Sequence, residues 1–117
     1  MDTNDINQFN MESIFNKIIK QIVDCENEGR MFVLPSFTDA SLVINHSEVE
    51  PTGSILTGDE WRMSKGDEYL DIVYVSKDKC RTFQNNPDRS VITIKGRIYK
   101  DEKLTNVDYT NGWDEGK

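Results

Sequence analysis

Long apolar runs are absent from this chain, and with them the option of crossing a bilayer by helix. No stretch approaches the roughly 18 consecutive apolar residues that a crossing needs. Cysteine is scarce. Cys25 and Cys80 stand far apart, match no metal-ligand spacing and cannot build the disulfide framework of a small secreted domain. Histidine occurs once, as His46, so no multi-histidine metal site can be assembled and any triad would depend on that residue. The chain contains no GxGxxG, no GxxxxGK[ST], no HExxH and no GxSxG. These absences point away from an enzyme, a metal centre or a bound cofactor. Met1–Asn10 is polar and acidic and lacks the basic and apolar regions of a secretory signal. The expectation is a cytoplasmic protein with reduced thiols.

What the chain does have is charge, unevenly placed. From Lys77 to Lys100 seven basic residues stand against two acids, a local balance of +5. The remainder holds seven basic residues against nineteen acids, a balance of −12. One basic, strand-rich segment therefore sits inside an acidic protein of net charge −7. A charge field is a statement about partners rather than about fold.

At 117 residues the chain has room for one ordinary domain. Residues 1–8 read as a flexible leader, 9–104 as a single α+β domain, and 105–117 as an acidic, loosely ordered tail. Met11, Ile14, Phe15, Ile18, Ile19, Ile22 and Val23 recur with a 3.6-residue period. This predicts a helix over 11–28, capped by Asn10 and stopped by Gly29. Phe9 and Ile14 occupy the two positions of a hydrophobic staple.

Past the helix the period shortens to two. Met31–Leu34, Ser41–Asn45, Ser54–Thr57, Trp61–Met63, Tyr69–Ser76 and Ser90–Lys100 are the strand candidates. Gly58-Asp59 suits a two-residue hairpin, and Ser64-Lys65-Gly66-Asp67 a second turn. Leu70, Ile72 and Tyr74 face one way, as do Ile92, Ile94 and Ile98. Gly96 falls on that inward side and suggests a bulge or bend. The expected fold is α+β. One N-terminal amphipathic helix packs on an antiparallel sheet of five or six strands, either open or curled into a partly closed barrel.

Two binding chemistries fit this build. In the first, acidic turns and the tail dock on a basic surface of another protein, with carboxylates standing in for phosphates. Its candidate residues are Asp59, Glu60, Trp61, Asp67, Glu68, Tyr109, Trp113, Asp114 and Glu115. Small inhibitors, immunity proteins and phage-encoded antagonists share this size and charge. In the second, an OB-like sheet binds single-stranded nucleic acid through the basic hairpin 77–100. Its candidates are Tyr74, Lys77, Lys79, Arg81, Phe83, Lys95, Arg97 and Tyr99. The overall negative charge opposes a polyanion, so the first chemistry is the stronger expectation. Cys80, between Lys79 and Arg81, reads as a surface thiol, Cys25 as a small core residue and His46 as an exposed loop residue.

Overall fold

The computed structural model describes residues 10–50, 56–77, 79–80 and 90–111. Its one long helix, α1, spans Met11–Glu28. The Asn10 side chain accepts a hydrogen bond from the Ser13 N–H at 2.9 Å, satisfying one free donor of the first turn. Gly29 ends the helix at φ 68°, a left-handed conformation that costs glycine little. Met11, Ile14, Ile18, Ile22 and Cys25 are buried, as the helical period requires. Val23, at the flank of that face, stays 43% exposed. Phe9 lies outside the described residues.

Five strands follow: β1 (Val43–Val49), β2 (Gly58–Lys65), β3 (Glu68–Val75), β4 (Val91–Lys100) and β5 (Lys103–Asn111). They pair antiparallel in the order β1-β2-β3-β4-β5. The α+β expectation holds in its open form. The sheet is a meander that does not close into a barrel, and among the described residues β1 and β5 are its free edges. Lys100 Nζ lies 3.4 Å from Glu12, and the Asn111 side chain donates to Glu26 at 2.9 Å. These two ties set α1 antiparallel to β4.

The register sorts side chains onto two faces. Met63, Leu70, Ile72, Tyr74, Ile92, Ile94 and Ile98 are buried on the helix side. Each large aliphatic side chain taken from water there contributes about 1.5–3 kcal/mol. The segment 30–42 returns alongside the helix. It brings Phe32 to Tyr74, with ring centroids 5.7 Å apart. It places Phe37 beneath the Lys17 ammonium at 5.9 Å. On the other face a smaller cluster of Leu56, Val75, Cys80 and Val91 is buried at one end.

Several expectations need correction. Met31–Leu34 forms no strand; Phe32 is buried, while Met31 and Val33 are exposed. The segment around Gly58-Asp59 is not a hairpin but the start of one continuous strand. Gly58 is needed for close approach, since a Cβ there would lie 2.7 Å from the Tyr74 carbonyl oxygen. The β2–β3 turn does fall within the expected Ser64–Asp67 segment, at Gly66, which carries φ 62°. Strand β1 runs on to Val49 rather than stopping at Asn45.

Residues 105–111 belong to β5, not to a loose tail, because Thr105, Val107, Tyr109 and Asn111 complete the helix-side face. Asp101 and Glu102 turn β4 into β5 with φ of 55° and 66°, a conformation unfavourable for side chains with a Cβ. The ladder runs unbroken through Gly96, so there is no bulge there. A Cβ at Gly96 would instead meet the backbone of Tyr69 and Leu70, the Leu70 Cα at 2.8 Å. Cys80 is 1% exposed, not a surface thiol, because Leu56 and Val91 close over it. No helix among the described residues is long and apolar enough to cross a membrane.

Candidate functional site: the acidic corner at β1 and β2

Strand β1 is ordered without burying much of itself. Six of its seven residues are exposed, and only Val49 is half-buried. It is held by its backbone ladder to β2, which pairs Ile44 with Met63, His46 with Trp61, Ser47 with Glu60 and Glu48 with Asp59. Side chains alternate across a strand, so Ile44, His46 and Glu48 share the helix side. Directly opposed Glu48 and Asp59 are like charges, an unfavourable cross-strand pair. Glu50 follows immediately after β1 and is exposed. Three carboxylates therefore gather at one corner. Glu60 adds a fourth on the opposite face.

The corner also carries an aromatic stack. The His46 ring lies over Trp61, with centroids 5.2 Å apart and planes at 18°. His46 Nε2 is 3.0 Å from Asp59 Oδ1. Trp61 rests its inner edge on the main core and is half-buried. His46 thus lies on a strand, not in a loop. Among the described residues no ion pair reaches Glu48, Glu50 or Glu60. The Glu60 charge helps, after the Asp71 hydrogen bond and charge, to hold the Arg62 guanidinium protonated.

The other candidate carboxylates are dispersed or engaged. Asp67 is exposed at the β2–β3 turn, at the far end of β2. Glu68 accepts the Tyr99 backbone N–H at 2.6 Å. Tyr109 sits on β5, half-buried against the core under the helix, and burial pushes its hydroxyl pKa up. Trp113, Asp114 and Glu115 lie outside the described residues, as do Arg81 and Phe83.

The basic segment is less free than its sequence implies. Tyr74 is 5% exposed and cannot stack a base. Burial, then the nearby thiols of Cys25 and Cys80, push its hydroxyl up to about 12. Its oxygen has no hydrogen-bond partner among the described residues. Lys77 is half-buried. Lys79 donates to the Thr57 carbonyl at 2.7 Å.

Lys95, Arg97 and Tyr99 do project from the bare face, where Tyr99 is 47% exposed. Lys95, however, lies between Asp71 and Asp108 in the register. Asp71 in turn takes two hydrogen bonds from Arg62, both 2.6 Å. One row across the bare face, Arg62, Asp71, Lys95 and Asp108, alternates in charge, so Lys95 does not extend a positive groove. Tyr69, which the sequence did not single out, lies under the Arg62 guanidinium at 4.9 Å.

Glu48 and Glu50 carry no motif that sequence reasoning singles out, and His46 reads there only as an exposed loop residue. Their signal was the alternation Ile44, His46, Glu48, Glu50, a period of two carried by polar side chains. No set of three or more histidine, cysteine or acidic side chains among the described residues is placed to hold a metal ion. Comparison with known proteins found no matching family, no similar curated protein and no similar solved structure.

Proposed function

We propose that this chain is a small, non-enzymatic cytosolic module that binds another protein through its acidic β1–β2 corner, engaging a basic surface on that partner. Blocking a nucleic-acid-handling protein is the form such an activity takes when carboxylates occupy a phosphate site. One observation carries the reading: Glu48 and Asp59 face each other across neighbouring strands, with Glu50 beside them. The fold gains nothing from opposing like charges at an exposed edge, and local rules are broken most often where a surface has a task. The His46–Trp61 stack offers a rigid aromatic platform at the same place.

A second reading keeps the bare face as a single-strand binder, on the exposure of Lys95, Arg97 and Tyr99. Asp71 and Asp108 flank that patch and weigh against it. Fluorescence anisotropy separates the two, using a labelled Lys/Arg-rich peptide and a labelled single-stranded oligonucleotide at low and high salt. The expected result is peptide binding weakened by salt and lost in Glu48→Lys/Glu50→Lys, with no oligonucleotide binding. Tight, salt-weakened oligonucleotide binding that disappears in Lys95→Glu/Arg97→Glu would replace the first reading by the second.

A further inference from the structure

We infer that the partner is captured as an extended basic strand that pairs with the free edge of β1, adding a sixth strand to the sheet. This rests on the acidic-corner reading and specifies its geometry. β1 is the first strand in the sheet order, so one row of its backbone N–H and C=O groups faces away from β2. Such a row is a template for another strand.

Exposed edges are commonly protected by lysine, proline or a bulge. β1 has no lysine and no proline, and its seven residues pair with β2 without a break. Its one fully charged side chain is Glu48. The other edge, β5, carries Lys103 and Asp108 and presents no such uniform sign.

The side chains specify the occupant. On the helix side, Ile44, His46 and Glu48 are followed by Glu50 at the same spacing. A pairing strand sets its side chains about 4.5–5.5 Å from those opposite. Lysine or arginine at every second position would therefore meet Glu48 and Glu50. On the other side, Val43 and Val49 offer apolar contacts, and Val43 is 55% exposed. A second copy of this chain is the poorer occupant. Each copy carries a net charge of −7 and offers no lysine or arginine on β1 to meet Glu48 and Glu50 of the other.

The test uses the full chain and two labelled peptides. One alternates lysine with valine and threonine; the other has the same sequence with its backbone nitrogens methylated. The expected result is binding of the first and a loss of about tenfold or more in the second, since several backbone hydrogen bonds are removed. Amide hydrogen exchange should slow at alternate residues of β1 when the first peptide binds. Equal affinity for both peptides overturns strand addition while leaving the acidic corner as a docking surface. Failure of both peptides to bind at low salt overturns the corner reading itself, and this inference with it. Slowed exchange on β5 instead of β1 assigns the wrong edge. Concentration-dependent dimerisation that protects β1 without peptide gives the edge to a second copy. Either of the last two results overturns the proposal.

Discussion

At the centre of the sheet Ile72 and Ile94 face each other across β3 and β4, both fully buried beneath the helix. Near the β1 edge, Glu48 and Asp59 hold the same kind of cross-strand position and repel. The two pairs share a backbone geometry and differ in what stabilises them. The central pair is held by apolar burial, which would fix the register even if the hairpin turns were weak. The corner pair is held in place by its ladder and by the His46 contact to Asp59, with no apolar burial behind it and against its own like charges. Position in the sheet thus separates two kinds of residue: those that make the fold and those that the fold presents.

That contrast can be broken by mutation, beginning where the effect should be greatest. Ile94→Ala should cost about 2–5 kcal/mol in urea unfolding, through lost transfer energy and a residual cavity. Val43→Ala, on the exposed β1 edge, should stay within about 0.5 kcal/mol. Comparable losses at both sites would erase the distinction. Gly96→Ala should cost about 1–3 kcal/mol, because a methyl group there must displace the β3 backbone.

Tyr74→Phe should raise stability by up to about 1 kcal/mol, since it removes a buried hydroxyl that has no hydrogen-bond partner among the described residues. A clear loss would show that the oxygen is satisfied in solution. Glu48→Lys should raise stability by about 0.2–1 kcal/mol, turning a like pair into an opposite one. The same variant should abolish binding of the basic peptide. Stability and binding moving in opposite directions would sharpen the comparison most.

The smallest effect is expected in acid. The Lys65 ammonium and the Ser41 hydroxyl and N–H hold the Asp39 carboxyl at about 2. A folded-state value below the unfolded one means the contribution is present above about pH 4. It fades as pH falls from about 4 towards 2. Melting temperatures of the native chain and Asp39→Asn should therefore converge across that range. A gap that stays constant below pH 4 would mean the Lys65 contact does not survive in solution.

How much of this was legible in the sequence depended on burial. The helix was readable residue by residue, cap to cap, because Ile14, Ile18 and Ile22 repeat at its period and Asn10 and Gly29 punctuate it. β3 and β4 were readable because each alternates apolar side chains beneath the helix. β1 beyond Asn45 and all of β5 were not. Their side chains are mostly polar on both faces, and an edge strand exposed to water carries no apolar alternation to find. Gly58 misled for a related reason. Glycine serves equally for a positive φ and for close backbone approach, and only the neighbouring β3 carbonyl decides between them.

The basic segment misled through charge counting. A sum over 77–100 cannot show that Asp71 and Asp108 would be set on either side of Lys95. Of the candidate residues, Asp59 and Trp61 share one face of β2, while Glu60 between them points to the other. Their most telling neighbours, His46 and Glu48, lie on the polar half of β1, where no apolar alternation marks a strand.

The two thiols are buried in separate clusters on opposite sides of the sheet, Cys25 on the inward face of the helix near its end and Cys80 with Leu56, Val75 and Val91. Each is therefore a built-in reporter of a different opening event. An alkylating reagent would reach Cys25 only when the end of the helix lifts, and Cys80 only when the smaller cluster parts. The order in which the two sites gain mass would reveal which side of the sheet breathes first, with no label added to the chain.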